Sequence, residues 1–133
     1  MKPDKDLLKR LSELDVSTAV PPCTLEQLSP ALVERLILAQ RMCGVPFTIN
    51  CGFRSQAYDR AKGRSGTSAH CRTNNGKPAS LAVDVSTIDS HTRFKVLVGA
   101  VLAGIPRIGV GRRFLHLDID ETKPHPIIFH YYD

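Results

Sequence analysis

Two histidines and one aspartate stand out in this 133-residue chain, because each lies next to a run of small or apolar residues. His70 follows a loop rich in Gly and Ser, Asp84 lies within the apolar segment 80–86, and His116 lies within segment 113–119. Two imidazoles and one carboxylate form a ligand set that suits a catalytic zinc with a fourth position open to water. We therefore predict that these three residues bind one Zn²⁺ ion and that the activated water cleaves an amide.

Asp84 has two possible explanations at this stage. An acid inside an apolar strand costs free energy unless it has a partner, and either a metal ion or a hydrogen bond within the core would supply one. Further metal ligands are possible but weaker candidates: Cys71 is the direct neighbour of His70, and His125 and His130 follow later in the chain.

Asp118 is a candidate for the catalytic machinery because of its position two residues after His116. Strand alternation places both side chains on one face, opposite the apolar Leu115 and Leu117. Such a strand has one face in the core and the other along a cleft. Asp118 could accept a proton from the attacking water as general base, orient a ligand histidine by a hydrogen bond, or form a salt bridge outside the site.

The composition predicts one globular domain over residues 1–133, with 42% hydrophobic and 23% charged residues. The formal charge of +5 suits an anionic partner such as cell wall. The basic residues are spread along the chain without interleaved aromatics, so we expect no nucleic-acid partner. No apolar run is long enough to cross a membrane. The sequence favours a monomer without fixing the oligomeric state.

The N-terminal sequence is charged and has no apolar stretch, so we expect no signal peptide and synthesis in the cytoplasm. The four cysteines have no CxxC spacing, and we expect them to be reduced.

Periodicity and turn residues predict alternating helices and strands, with residues 1–24 as an N-terminal helical extension. The predicted helices span residues 4–14, 29–44, 55–62 and 89–104. The predicted strands span residues 45–50, 80–86, 107–111, 113–119 and 127–132. Segment 72–78 is polar and rich in turn residues, which predicts an exposed excursion.

Four motifs occur in chain order: Cys51-Gly-Phe-Arg54-Ser55, Ser68-Ala-His70, Ala82-Val-Asp84 and Phe114-Leu-His116-Leu-Asp118. This ordered set resembles the zinc D-alanyl-D-alanine carboxypeptidase family, which shares its fold with the Hedgehog signalling domain. The family pattern runs Ser-Gly-Tyr-Arg-Ser, then Ser-x-His-x-x-Gly-x-Ala-x-Asp, then a strand with His-x-Asp or an acid three residues before the His. The resemblance covers roughly residues 25–120.

The resemblance implies an α+β fold with helices packed on a small, largely antiparallel sheet. It implies a zinc peptidase acting on peptidoglycan peptides, as carboxypeptidase or endopeptidase, with His70, Asp84 and His116 as the Zn²⁺ ligands. Arg54 would bind and polarise the scissile carbonyl or hold the substrate carboxylate, and Ser68 would shape the site. Taken alone, Arg54 is better interpreted as a surface or structural arginine, but its place in the turn before His70 favours a functional role.

The chain departs from the family pattern at three places. Thirteen residues separate His70 from Asp84, where the family has six, and Cys51 replaces a serine. The position three residues before His116 is Arg113 and not an acid. The usual general base is therefore absent from its place, which leaves Asp118 as the candidate.

Three classes of function remain open from the sequence. The first is the zinc peptidase, either released onto the cell wall as phage lytic enzymes are or acting on small wall peptides in the cytoplasm. The second is a zinc-containing domain of the same fold that binds without catalysis, which the arginine in place of an acid favours. The third and weakest is a basic nucleic-acid-binding domain, which leaves the histidines and the aspartate unexplained.

Overall fold

Seven β-strands and four α-helices make up the chain in a computed structural model that describes residues 4–131. The strands are β1 Ile49–Cys51, β2 Thr73–Asn74, β3 Lys77–Pro78, β4 Ala82–Ser86, β5 Arg107–Val110, β6 Phe114–Asp118 and β7 Ile127–His130. Five of them form one sheet in the order β1-β4-β6-β5-β7, in which only the β5–β7 pair is parallel. Strands β2 and β3 form a separate two-stranded hairpin within the predicted excursion.

The helices begin and end where the sequence provides capping residues. The helices are α1 Lys5–Leu11, α2 Pro30–Cys43, α3 Gln56–Ala61 and α4 Ser90–Leu102, with 3₁₀ turns at Leu25–Gln27 and Ala69–Cys71. Pro30 occupies the first turn of α2, and Gly44 ends that helix in the left-handed conformation at φ +71°. Ser55 and Asp89 accept backbone N–H bonds at the starts of α3 and α4. These three predicted helices are confirmed.

One face of the main sheet forms the core and packs against α2 and α4, which also pack on each other. Strand alternation places every second side chain on this face. The buried apolar residues that the sheet contributes are Ile49, Val83, Val85, Ile108, Leu115 and Leu117. The opposite face carries Asp84, His116 and Asp118. The predicted α+β class, with helices on a largely antiparallel sheet in a single domain, is confirmed.

The predicted helix 4–14 and the predicted strand 45–50 differ most from α1 and β1, and the buried Gln40 contacts the chain beside both elements. Its Nε2 donates to the carbonyl oxygens of Leu11 and Glu13, at 3.2 and 2.8 Å, where the chain leaves α1. Its Oε1 accepts the N–H of Phe47 at 2.8 Å, so that this residue makes no ladder bond through its N–H and β1 begins only at Ile49. This amide therefore joins the N-terminal segment to the core.

The predicted elements at the two ends of the chain extend beyond the described residues. Strand β7 ends at His130, and the predicted strand residue Tyr132 lies outside the described residues, as do residues 1–3 of the predicted N-terminal extension. Among residues 4–131, no helix has the length and apolar character needed to cross a bilayer.

Candidate metal centre and substrate cleft

Asp84 and His116 face each other across the central strand pair of the sheet. They are directly paired in the antiparallel β4–β6 register, so both side chains point to the face opposite the core. His116 Nδ1 lies 3.0 Å from Asp84 Oδ1. Their apolar neighbours on both strands fix this register, since a slip by one residue would turn the two side chains into the core.

His70 reaches the same point from a loop. It lies in the 3₁₀ turn Ala69–Cys71, where the Oγ of Ser68 accepts the backbone N–H of His70 at 3.2 Å. Its Nε2 lies 3.3 Å from Asp84 Oδ1 and 3.3 Å from His116 Nδ1. The structure thus brings the three predicted ligands together, from segments that are far apart in the sequence.

The other ring nitrogen of each histidine is held by an acceptor. His70 Nδ1 lies 2.7 Å from the carbonyl oxygen of Gly52, and His116 Nε2 lies 2.8 Å from Asp118 Oδ2. With the ring proton on each of these nitrogens, His70 Nε2 and His116 Nδ1 would present lone pairs on the side that faces Asp84. Two imidazole nitrogens and a carboxylate oxygen that converge in this way form a ligand set for a divalent cation.

The spacing of these three atoms fits zinc. Zinc binds nitrogen and carboxylate oxygen at about 2.0–2.2 Å in tetrahedral geometry, which places neighbouring ligand atoms about 3.3 Å apart. The three distances in the structure are 3.0, 3.3 and 3.3 Å. Hydrogen bonds from the outer ring nitrogens to a carboxylate or a carbonyl are typical of zinc-binding histidines. The donor set and its surroundings therefore fit a zinc ion.

Interactions within the cluster shift the pKa values of Asp84 and His116. Burial alone would raise the pKa of Asp84, but the two histidines outweigh burial and hold this pKa well below its usual range. Burial would lower the pKa of His116, and hydrogen bonds to Asp118 and Asp84 reverse this effect and raise it. The site therefore favours a negatively charged Asp84, which is the form that binds a metal ion.

Cys51 is an alternative ligand, because its Sγ, a ring nitrogen of His70 and an oxygen of Asp84 also lie close together. Two observations speak against it. Its Sγ lies 3.8 Å from His70 Nδ1, the nitrogen that Gly52 already occupies. Burial and the nearby Asp84 also raise the pKa of the Cys51 thiol to about 12, so that the thiol form is favoured in the protein without a metal ion. The set with His116 is the better fit.

The weaker candidate ligands lie elsewhere. Cys71 points its thiol at Asp59 Oδ2, 3.1 Å away, and not at the three converging atoms. His125 is exposed, and its Nδ1 lies 2.9 Å from the carbonyl oxygen of Lys123. His130 is exposed on β7.

Asp118 lies behind His116, not beside the open side of the cluster. Its Oδ2 contacts His116 Nε2 and lies 3.1 Å from Arg107 Nε, while its Oδ1 accepts the backbone N–H of Asp120 at 2.8 Å. Burial would raise its pKa, but these bonds outweigh burial and keep the pKa low. A carboxylate with both oxygens engaged in this way is suited to orient the histidine and poorly placed to act as base.

Arg54 and Ser68 lie together at the edge of the site. The Nη2 of Arg54 donates to Ser68 Oγ at 3.2 Å, and its Nη1 contacts Cys51 Sγ at 3.7 Å. The backbone N–H of Arg54 donates to the carbonyl oxygen of His70 at 3.1 Å. The guanidinium is therefore tied to the loop that carries His70.

A cleft of about 330 Å³ runs beside His116 and Ser68. The rings of Phe129 and Tyr131 form one wall, with centroids 5.8 and 6.0 Å from that of His116. A Cβ at Gly109 would lie within 2.8 Å of both rings, so glycine is required there. The rest of the lining is mainly polar, with Arg64, Lys123, Thr67 and the buried Asp59.

Several residues of the site have no counterpart in the predictions from sequence. Arg107 could have been found, because hairpin pairing of β5 with β6 sets it opposite Asp118 as an opposite-charge pair. The aromatic wall could not, because β7 pairs with β5 in parallel after a long connection. Asp59 gave only the weak signal of an acid in a short helix.

A family model described as Peptidase M15 matches residues 6–118, a stretch that contains the whole ligand cluster and ends at Asp118. No curated protein and no solved structure matches the chain. The matched segment is most of the sequence, and the chain therefore belongs to the Peptidase M15 family, the zinc D-alanyl-D-alanine carboxypeptidase family that its ordered motifs predict.

Proposed function

We propose that this chain is a zinc-dependent peptidase that hydrolyses amide bonds in peptidoglycan peptides, as a carboxypeptidase or an endopeptidase. Membership of a metallopeptidase family supports the reaction class. The observation that carries the proposal is the convergence of ring nitrogens of His70 and His116 and a carboxylate oxygen of Asp84 within 3.0–3.3 Å of one another.

Each residue of the site has a role in this proposal. His70 Nε2, an oxygen of Asp84 and His116 Nδ1 would hold the ion. When bound, zinc supplies a Lewis acid that polarises a carbonyl and makes water acidic enough to attack near neutral pH. Arg54 donates hydrogen bonds to the scissile carbonyl or to a substrate carboxylate, and Ser68 holds the guanidinium in place. Asp118 keeps the proton of His116 on Nε2, so that Nδ1 remains a ligand.

A non-catalytic zinc domain of the same fold is the second candidate, and one observation favours it. The two described carboxylates that line the cleft, Asp59 and Asp118, each lie close to an arginine, at 2.9 and 3.1 Å. The lowered pKa of Asp118 makes it a poor proton acceptor, and the nearest oxygen of Asp59 is already in contact with Arg54. Such a domain would bind wall peptides through the same cleft without cutting them.

The direct test is to incubate the zinc-loaded protein with purified peptidoglycan and analyse the products by mass spectrometry. We expect new peptide ends from the wild-type protein and none from Asp84→Ala or from protein treated with a chelator, with activity restored by added zinc. Metal analysis of the same samples should show about one zinc per wild-type chain.

Two results would separate the alternatives. Stoichiometric zinc with binding to peptidoglycan but no new peptide ends would favour the non-catalytic domain. Full zinc occupancy in Asp84→Ala would contradict the ligand set itself.

A further inference from the structure

Asp59 is a buried carboxylate in α3 that lines the cleft, and neither the family motifs nor the metal centre accounts for it. We propose that Asp59 is a positioning residue that fixes the guanidinium of Arg54 in the direction from which it meets the substrate. This inference rests on the proposed function for the contact between Arg54 and substrate, but the positioning itself can be measured without turnover.

The contacts of Asp59 form a compact network. Its Oδ1 lies 2.9 Å from Arg54 Nε and 3.4 Å from Arg64 Nη1, and its Oδ2 accepts the thiol of Cys71 at 3.1 Å. The Asp59 side chain is only 1% exposed. Because a buried carboxylate is costly without compensation, this side chain depends on its cations. Arg64 is 51% exposed, which leaves Arg54 as the main buried partner.

Arg54 is held from three sides. Asp59 lies beside Nε, Ser68 Oγ accepts from Nη2, and Cys51 Sγ lies near Nη1. The Nε atom is buried, and its N–H does not point at the Asp59 oxygen, so this contact is an ion pair without a hydrogen bond. Guanidinium has five N–H donors, and within the described residues two on the Nη atoms remain for a substrate oxygen.

Of the three contacts, only Asp59 contributes a full charge. An arginine side chain loses rotamer entropy when it is fixed, and a neutral hydroxyl and a thiol compensate weakly for this loss. Removing the carboxylate would free the guanidinium to move relative to the metal centre. A displacement of about 1 Å of a substrate-binding group is enough to slow an enzyme about a hundredfold.

The chain offers a matched control in Asp120. This aspartate is also fully buried, and its Oδ2 lies 2.7 Å from Nε of an arginine, Arg72. It therefore has the same chemistry as Asp59 without a contact to Arg54. Asp120→Asn keeps the backbone N–H that Asp118 accepts, and its amide oxygen can still accept the bonds from Thr122, so the main change is to the ion pair with Arg72.

The first measurement follows the arginine side chains by NMR in protein labelled with ¹⁵N-arginine. We expect a slowly exchanging Nε–H signal from Arg54, identified by its disappearance in Arg54→Lys. The signal should broaden or vanish in Asp59→Asn and persist in Asp120→Asn. A signal that persists unchanged in Asp59→Asn would overturn the proposal. If Asp59→Asn does not fold, the wild-type spectrum decides, since a rapidly exchanging Arg54 would contradict a fixed guanidinium.

The second measurement uses a purified peptidoglycan peptide. We expect kcat/KM to fall at least tenfold in Asp59→Asn at unchanged zinc content and to stay within twofold of wild type in Asp120→Asn. The double variant Asp59→Asn with Arg54→Lys should be no slower than Arg54→Lys alone, because Asp59 acts through that arginine. Losses that multiply would show an independent, merely structural effect and refute the proposal. Absence of hydrolysis by the wild type would defeat the proposed function, while the NMR result would still decide the role of Asp59.

Discussion

The sheet and the loop position their ligands by different means. Asp84 and His116 are paired residues of β4 and β6, so their relative position follows from the strand register and from the apolar side chains that hold this register against the helices. His70 lies in a turn of three residues and depends on local contacts: its backbone N–H donates to Ser68 Oγ, and its Nδ1 lies against the carbonyl oxygen of Gly52. The sheet pair is therefore preformed by the whole core, whereas the loop ligand is placed by a few contacts.

The two histidines also differ in what holds their outer nitrogen. The partner of His116 is a side chain, Asp118, and the partner of His70 is the backbone carbonyl of Gly52. A substitution can remove the first partner but not the second. The contribution of an orienting hydrogen bond can therefore be measured at His116 without loss of a ligand.

Removing a ligand from each region gives the largest expected effects. His70→Ala and His116→Ala should both abolish measurable hydrolysis, since loss of several kcal/mol of transition-state stabilisation slows turnover roughly a thousandfold or more. Their zinc affinities should differ. His70→Ala keeps the preformed pair of Asp84 and His116 and should retain weak zinc binding, whereas His116→Ala should bind more weakly still. Equilibrium dialysis with metal analysis measures both affinities.

The reverse order of affinities would show that the loop, not the sheet, provides the preformed part of the site. Circular dichroism should show both variants folded, since neither side chain belongs to the apolar core.

We expect Asp118→Asn to have the next largest effect. Loss of the carboxylate behind His116 should weaken zinc binding about 10–100-fold, as expected for partners of ligand histidines. Hydrolysis measured at saturating zinc should recover most of its rate. If Asp118 were the general base instead, the zinc affinity would stay near wild type while turnover at saturating zinc fell by orders of magnitude. Zinc titration followed by a rate measurement on the same samples distinguishes these results.

The sheet half of the site was the more predictable from sequence. Alternation in β4 and β6 places Asp84, His116 and Asp118 on one face, because a period of two leaves strands little freedom. The helix starts were predictable for a similar reason, since Pro30 and Asp89 act on their own helix ends. The sequence therefore predicts structure best where an element depends on residues that are close to it in the chain.

Contacts between residues far apart in the chain could not be predicted from local sequence patterns. Nothing in the local sequence indicates that Gln40 satisfies the carbonyls after α1, or that Phe129 and Tyr131 cover Gly109 beside His116. The position of His70 came from the resemblance to a family and from its residue type, since loop conformation follows from contacts made after folding. The loop that carries His70, which a few local contacts hold in place, was thus also the part of the site that was hardest to predict.

Ser68→Ala tests how the loop half is held, with a smaller expected effect. Loss of the cap on the turn that carries His70 should lower the free energy of unfolding by about 1 kcal/mol. It also removes the acceptor for Arg54 Nη2, so we expect kcat/KM to fall several-fold. Ser55→Ala is the matched control, because Ser55 Oγ caps α3 through the N–H of Tyr58 and does not contact Arg54. Equal activity losses in the two variants would indicate a general loss of stability and no specific role of Ser68. Urea unfolding and peptide hydrolysis provide the two measurements.

The smallest expected effect is on the pH dependence of stability. It concerns the ion pair between Asp120 and Arg72, which lies outside the ligand cluster. Burial would raise the pKa of Asp120, but bonds from Thr122 and Arg72 outweigh burial and lower it. A carboxyl group with a lowered pKa in the folded state contributes stability above its unfolded pKa of about 3.9, and this contribution is lost as the pH falls through the folded value. Because Arg72 is 41% exposed, we expect Asp120→Asn to cost only about 1 kcal/mol at pH 7. The difference from wild type in urea unfolding should shrink below about pH 4 and vanish in stronger acid. A difference that stays constant down to pH 2 would mean that the loss comes from packing and not from the charge.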